Sequence, residues 1–493
     1  MKFTILIFGC QMNYSDSARI KAVLKNCWLK YTDNIDEADI VIFDTCSVKQ
    51  KAEDKITGKL IGIPKDKKIW ITGCMIQHNF RNEKLKMKNE EFNLNFKRGN
   101  FLGNVLLDNP EIVGFKNEEM DKIDKRKDEK NQNKIFVNNA FNPMFNHLKK
   151  TYDNIELFFR IDDIWFLPLM MKEVGYKINY DRELINEYSK IIPEGIVNMN
   201  WNFSTAFVPI STWCNQFCSY CIVPYARWLE KCFSVEQIVN EVNLYISRWV
   251  QEIVLLWQIV NKHPEFIKIL KEILKNPDLK RLRYTSPYPN YYSDELLKLH
   301  ENETKLCPHI HIPLQSGSDD TLKKMFRWYT NDIAKWFLEK IQNLNRKISL
   351  TTDIIVWFPD ETEEDFQKTL ELVKFGNFDM IYIGIYSPRP WTYAEKKYPD
   401  NVPKNIKRDR RNKLNNLLKE ISEKNNKFLI WKTVEVLINK IENWKLIWYT
   451  DDMKTILVKS KNQNIEKSKS LFWKFIKVKI DKAIPFKLYW TIV

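Results

Sequence analysis

The sequence predicts an α/β protein in three parts: an N-terminal parallel α/β domain over residues 1–178, a partial (βα)6 barrel over 205–428, and a small C-terminal β-barrel over 429–493, with a linker at 179–204. Three observations predict it. Near the start, three β-rich runs alternate with helix-like stretches and each ends on a cysteine. Six further apolar runs between Thr205 and Pro388 are mostly separated by helical stretches. The last five apolar runs are short and have no helix between them. Alternating strand and helix builds parallel sheets, whereas short strands joined directly build small barrels. A chain of 493 residues exceeds one ordinary core, and its 44% hydrophobic content, 13% aromatic, can fill several.

The three N-terminal runs are "FTILIFGC" ending at Cys10, "DIVIFDTC" at Cys46 and "KIWITGC" at Cys74. Helix-like stretches lie between them at Asp16 to Lys25 and Lys49 to Leu60. In a parallel sheet the strand C-termini share one edge, which is where ligands bind, so three thiols are expected to meet there. Three unrelated buried cysteines are the plain alternative, weakened by their common position after a strand. From about residue 79 to 153 the pattern dissolves into a lysine- and asparagine-rich segment, expected to be an insertion or mobile loop. Periodic structure is expected to resume at "IELFFRIDDIWFLPLMM".

The second series reads "TAFVPIS", "EIVLLWQ", "RLRYTSP", "HIHIPLQS", "LTTDIIVWF" and "MIYIGIYSP". Directly after its first run comes "STWCNQFCSYC", which spaces Cys214, Cys218 and Cys221 as C-x3-C-x2-C. Closely spaced thiolates commonly hold iron-sulfur centres, and three of them leave one iron of a cubane open. A structural zinc site takes four ligands, and no fourth cysteine or histidine lies nearby. Cys27, Cys232 and Cys307 match no motif and are read as core or surface thiols. His309 and His311 alternate along a strand, and packing is favoured over metal binding for them.

After a polar helix from Lys404 to Leu429, the runs "TVEVLINKI", "KLIWYT", "TILVKS", "KFIKVKI" and "KLYWTIV" read as five strands resembling an oligonucleotide-binding fold. From Leu429 onward there are thirteen lysines and no arginine against six acidic residues, within a net charge of +15. That balance points to a polyanionic partner. No apolar run approaches the roughly 20 residues that span a bilayer, so no membrane association is expected. The opening "MKFTILIFGC" superficially resembles a lipoprotein cleavage site, but its apolar run is shorter than a signal segment. Nine cysteines without regular spacing suit a reducing, cytoplasmic setting better than a disulfide framework.

The blocks "GCQMNYSDS", "DTCSVK", "GCMIQ", "STWCNQFCSYCIVPYAR", "PLQSGSD", "DIIVWFPDETEEDF" and "YSPRPWTYA" follow one another as in the radical S-adenosylmethionine (SAM) methylthiotransferases. The chain most closely resembles the branch of that family that acts on tRNA. Apart from the insertion, the resemblance covers nearly the whole length. It implies two 4Fe-4S clusters, one on Cys10, Cys46 and Cys74 and a SAM-binding one on Cys214, Cys218 and Cys221. The second, once reduced, would cleave SAM to a 5′-deoxyadenosyl radical that takes hydrogen from the substrate base, and the first would carry or donate sulfur, with a second SAM as methyl donor. It further implies methylthiolation at C2 of an N6-isopentenylated adenosine next to the anticodon, an RNA-gripping TRAM-like C-terminal barrel, and an electron donor such as flavodoxin or ferredoxin. A monomer is expected.

Gln315, Ser316, Asp353 and Glu361 are candidate SAM contacts, with strand-end capping as the alternative. Arg227 and Arg389 are candidates for substrate phosphate, with a structural salt bridge as the alternative. The rival readings are a methylthiotransferase acting on another modified adenosine or on a ribosomal-protein side chain, and an iron-sulfur RNA-binding protein without turnover.

Twelve glycines against seventeen tryptophans is an inverted ratio. Trp213, Trp228, Trp257, Trp357 and Trp391 stand where the family blocks have glycine. Trp444 follows Asn443 where Asn-Gly would make a type I′ turn, and Trp28, Trp249, Trp431, Trp448, Trp473 and Trp490 look the same. Overpacking costs about 1–3 kcal/mol per site against a total stability of about 5–15 kcal/mol. The expectation is therefore a gene that reads UGA as glycine, with glycine at these twelve positions in the living protein. Trp70, Trp165, Trp201 and Trp336 occupy apolar or helical contexts and are expected to be authentic.

Overall fold

The computed structural model describes residues 1–46, 50–76, 143–178, 205–212, 214–226, 230–400, 402–442, 445–459 and 475–491. In the first part, β1 (Lys2–Phe8), β2 (Lys30–Tyr31), β3 (Ile40–Thr45), β4 (Lys68–Gly73) and β5 (Ile155–Phe158) form one parallel sheet in the order β2-β1-β3-β4-β5. Strand periodicity sorts its side chains between two cores. Ile40, Ile42 and Trp70 pack with Phe3, Ile20 and Leu24 on the face of helix α1 (Gln11–Asn26). Val41, Phe43, Ile69 and Ile71 pack with Ile56 and Leu60 of helix α2 (Gln50–Leu60) on the other. Because β3 is buried on both faces it is apolar almost throughout, which made it legible as a strand.

The lysine- and asparagine-rich stretch read as an insertion or mobile loop includes regular structure at its end. Residues 143–151 are already helical, and Leu148 and Tyr152 pack on the second core. The apolar pair is too sparse to read as a helix without its sheet. Residues 77–142 and the linker at 179–204 lie outside the described residues.

The second part supplies β6 (Thr205–Pro209), a short antiparallel hairpin β7 (Ser211–Thr212) and β8 (Lys231–Cys232), then β9 (Glu252–Leu256), β10 (Arg281–Tyr284), β11 (His309–His311), β12 (Ser349–Val356) and β13 (Met380–Ile385). Parallel ladders run β6-β9-β10 and β11-β12-β13, and a parallel bridge from Leu282 to Leu306 joins the halves. Among the described residues no pairing links β6 to β13, so the six-stranded barrel is open. Helix α1 packs on the edge strand β6: Ala18 and Ala22 enter the barrel's helix-side core, and Met12 packs against Phe207, Val254 and Leu256.

The third part closes β14 (Thr433–Glu442), β15 (Lys445–Thr450), β16 (Thr455–Lys459), β17 (Phe475–Ile484) and β18 (Lys487–Thr491) into a barrel in the order β14-β15-β16-β18-β17. It docks on the N-terminal rim of the larger barrel through two buried arginines of β10. Arg281 donates to Glu435 O at 3.0 Å and Tyr449 O at 3.3 Å. Arg283 donates to Asp451 O at 2.6 Å, Thr450 O at 2.9 Å and Glu252 at 3.1 Å. Lys454 returns the contact at 2.5 Å to Asp379, just before β13.

The tryptophans divide sharply. Trp28, Trp249, Trp357, Trp391 and Trp431 have φ between 59° and 74°, a left-handed conformation that costs a residue with a Cβ about 1–2 kcal/mol and glycine nothing. Trp28 is the residue after the α1 cap: its N–H bonds to Lys25 O and that of Leu29 to Leu24 O, the Schellman arrangement in which glycine is the usual occupant. Trp249 ends the helix Val235–Ser247 in the same way, with Trp249 N to Ile246 O and Val250 N to Tyr245 O. Both indoles stand in solvent, 83% and 88% exposed, so nothing in the fold calls for their bulk. Trp257, Trp448 and Trp490 lack positive φ, and Trp257 is buried in the barrel core. Trp70, Trp165 and Trp336 also lack it. Trp201, Trp213, Trp228, Trp444 and Trp473 lie outside the described residues, and Glu442 pairs with Lys445.

Candidate metal centres

Register places the first three cysteines. Phe8 pairs with Thr45, and Thr45 with Gly73. Cys46 and Cys74 therefore leave adjacent strands at the same level, about 5 Å apart in the pairing direction, and Cys10 leaves β1 two residues beyond its last pair. Cys46 and Cys74 are buried and Cys10 is exposed. Gly73, with φ of +97°, closes this rim: a Cβ there would lie 2.2 Å from Thr45 O and 2.3 Å from Thr45 N. Only glycine allows the Cys46 and Cys74 backbones to approach as they do.

A buried polar network braces the rim. Asn13 Nδ2 donates to Asp44 Oδ1 at 2.7 Å and Thr45 O at 3.1 Å, while Asn13 Oδ1 accepts from Cys10 N at 3.0 Å. Ser17 Oγ donates to the other Asp44 oxygen at 2.7 Å. Asn13 and Asp44 are fully buried, so one amide and one carboxylate tie the start of α1 to β3 and fix Cys10 relative to Cys46. In the sequence these two residues carry no signal: an asparagine three residues after a cysteine and an aspartate two before one are ordinary until the strands are paired.

The second trio is held by a loop instead. Cys214, Cys218 and Cys221 are half-buried, and Cys221 N donates to Cys218 O at 2.9 Å. Between them Ser219 is clamped on the end of helix Asp319–Lys324: its N–H reaches Met325 O at 3.0 Å and its hydroxyl Lys324 O at 2.7 Å. The same helix end delivers Arg327, whose Nη1 stands 3.8 Å from Cys218 Sγ and whose Nη2 donates to Pro313 O at 2.6 Å. Burial pushes the Cys214 thiol up to about 12 and the Cys221 thiol higher still. As free thiols both would be protonated, and coordination is what makes such groups anionic.

The donor sets fit clusters better than single ions. Among the described residues no group of three or more His, Cys, Asp or Glu side chains is placed to hold a metal ion, as a zinc site would require. Cluster thiolates bind separate irons and stand farther apart than the ligands of one ion. The first trio follows three neighbouring strands of one sheet, and the second lies on one loop with a buried cation, Arg327, alongside.

The remaining candidates separate. Gln315, with φ of 71°, sits at the end of a strand-like segment, its N–H on Asp353 O at 2.8 Å and its carbonyl accepting from Ile355 N at 2.9 Å. Asp353 faces the barrel interior and accepts from His311 Nε2 at 3.1 Å. His309 and His311 share the Thr351 hydroxyl at 3.0 and 2.9 Å, in a polar ladder. Ser316 is turned inward: fully buried, it accepts from Ser318 N and meets the Thr369 hydroxyl, which makes it a brace for the loop rather than an open contact. Glu361 is likewise committed, to Arg410 at 2.7 Å and Trp357 N at 2.6 Å, and burial lifts its carboxyl to about 7 in spite of that arginine. It lies five residues beyond the end of β12, tied to Arg410 of the helix Lys404–Lys427. Arg389 is buried, 6% exposed. Arg227 lies outside the described residues. Cys27 and Cys307 are buried and Cys232 is half-buried in β8. No described helix is long and apolar enough to cross a membrane.

Residues 208–373 match the Radical SAM superfamily, and residues 2–96 match Uncharacterized protein family UPF0004. The tRNA-2-methylthio-N(6)-dimethylallyladenosine synthase of Clostridium novyi (strain NT) is 33% identical over 471 residues, covering 92% of this chain and 90% of that one. The synthase of the same name from Thermoanaerobacter sp. (strain X514) is 31% identical over 452 residues, covering 89% and 82%. Among solved structures, the radical S-adenosylmethionine methyltransferase TsrM from Kitasatospora setae superposes with a TM-score of 0.46 at 11% identity, over 80% of this chain and 77% of that one. With one trio on the rim of a parallel sheet, the other on the first loop of an open (βα)6 barrel, and 31–33% identity to these synthases along nearly the whole length, the chain belongs to the radical-SAM tRNA methylthiotransferase family.

Proposed function

We propose that this protein adds a methylthio group to C2 of N6-isopentenyladenosine next to the anticodon of tRNA, in the cytoplasm, as a monomer supplied with electrons by a flavodoxin or ferredoxin. The observation that carries the reading is the pair of thiol rims bridged by α1, which starts at Cys10 and packs through Met12 on Leu256 at the end of β9. In this reading Cys10, Cys46 and Cys74 hold one 4Fe-4S cluster, and Cys214, Cys218 and Cys221 hold the second with SAM. Bound there, the clusters and SAM supply the radical and sulfur chemistry, which is the cofactors' own.

The chain's part is placement. The Asn13–Asp44–Ser17 network and Gly73 fix the first rim, Ser219 fixes the loop of the second, and the polar wall of Asp353, His311 and Thr351 gives the barrel interior directional partners for a polar ligand. The tail barrel is basic and docks on the strand N-terminal rim, whereas the cysteine loop lies beyond the C-terminal end of β6. β9 has five residues and strands rise about 3.3 Å per residue, so the two lie roughly 16 Å or more apart. That span suits an RNA stem-loop, gripped through its phosphates at one end and presenting a base at the other, better than a free nucleoside. The test is mass spectrometry of tRNA from a deletion strain complemented with this gene. Restored 2-methylthio-N6-isopentenyladenosine supports the reading; unmodified isopentenyladenosine beside a modified ribosomal protein or another adenosine would replace it.

A further inference from the structure

We propose that Arg327 is a charge-positioning residue that supplies the counter-charge to the cluster held by Cys214, Cys218 and Cys221 and thereby favours its reduced state. The inference rests on the cluster-binding reading above. Arg327 is 8% exposed, and burying an unpaired guanidinium costs several kcal/mol. The titratable groups that act on it most strongly are Tyr329, Tyr220, Cys218 and Tyr288, none of them a carboxylate, and it also acts on Cys221. The guanidinium lies 4.5 Å from the Tyr288 ring centre and 5.2 Å from that of Tyr329, donates to neutral partners, Pro313 O and the Tyr329 side chain, and leaves a buried Nε without an acceptor. Among these groups the sulfurs of Cys218, 3.8 Å away, and of Cys221 become anionic when the site is filled.

The backbone holds the guanidinium there at some expense. Phe326 takes φ of 57° after the helix Asp319–Lys324, and Arg327 N bonds back to Leu322 O, a helix stop in which glycine is usual. The helix end that fixes Arg327 also holds Ser219, so the cation and the cysteine loop move as one body. A cubane with three thiolates becomes one unit more negative when a low-potential reductant adds one electron. A fixed, buried cation at a ligand sulfur stabilises that added charge.

The experiment compares Arg327→Met, which keeps bulk and loses charge, with Arg327→Lys, which keeps charge, in anaerobically reconstituted full-length protein. The readout is EPR-monitored redox titration, with the cluster on Cys10, Cys46 and Cys74 as internal reference. In Arg327→Met the reduced-to-oxidised ratio of the second cluster at a fixed potential should fall about tenfold or more, which is ~59 mV for one electron, while Arg327→Lys stays within about threefold of wild type and the reference cluster does not move. Loss of about four irons in Arg327→Met but not in Arg327→Lys also supports a charge role. An unchanged ratio in Arg327→Met, equal shifts in both variants, or equal iron loss in both overturns it. If wild-type protein holds only one cluster, the parent reading itself has failed.

Discussion

The two cysteine trios present the same ligands by opposite means. Cys214, Cys218 and Cys221 lie within eight residues, and the chain itself keeps them together; Cys10, Cys46 and Cys74 are spread over sixty-five residues and meet only because β1, β3 and β4 are neighbours in register. Their electrostatic settings also differ. The sheet rim is braced by a buried carboxylate, Asp44, and the barrel loop faces a buried guanidinium, Arg327. Ligands supplied by a loop tolerate strain in the sheet, while ligands supplied by a register are only as well placed as the register.

The largest effects should come from the ligands. Cys218→Ala is expected to lose about four of about eight irons per chain and all production of 5′-deoxyadenosine from SAM. Cys46→Ala should lose a similar amount of iron yet keep 5′-deoxyadenosine formation while making no methylthio product. Iron quantification and chromatography of the SAM products check both. Equal behaviour of the two variants would erase the distinction between the trios.

Gly73→Ala should separate them next. Its Cβ would strike Thr45 backbone atoms at positive φ, at a cost of ~3 kcal/mol, and iron should leave the sheet rim while the barrel loop keeps its own. Gly175, at φ of +98° with nothing within 4 Å, is the control: Gly175→Ala carries the backbone term alone, about 1 kcal/mol. Denaturant unfolding and iron content on both proteins distinguish register from simple backbone strain.

Asp44→Asn should cost ~2 kcal/mol, because Asn13 and Ser17 both donate to this buried carboxylate and an amide offers one acceptor oxygen in its place. Ser17→Ala removes one donor and should cost about half as much. Both are read from urea midpoints, and an Asp44→Asn protein as stable as wild type would mean that the network does not brace the rim.

The smallest effects lie at the helix ends behind the two trios. Trp28→Gly, at the end of α1, and Trp249→Gly, in the barrel, should each stabilise the protein by about 1 kcal/mol, since an exposed indole is lost and a left-handed backbone is relieved. Thermal midpoints test the energetics. Codon sequencing tests the origin, because TGG at these positions would refute glycine recoding.

Much of this protein was written locally. The C-x3-C-x2-C loop, the cysteine after each early strand, the six βα units and the five-stranded tail follow from spacing and periodicity, which depend on residues near one another in the chain. Even the misplaced tryptophans at 28 and 249 were readable, because a helix stop needs a left-handed residue whatever surrounds it. Tertiary structure alone decided the rest. Asn13 and Asp44 became a brace only when β1 and β3 paired. Arg327 became a cation at Cys218 only when a helix more than a hundred residues away clamped Ser219. Glu361 and Ser316, plausible as ligand contacts by motif, bond to Arg410 and meet Thr369 respectively, and Arg389, a candidate for phosphate, is buried. A sequence states which groups are available and how far apart they lie along the chain; which partner neutralises a buried charge depends on what packing brings within a few ångströms.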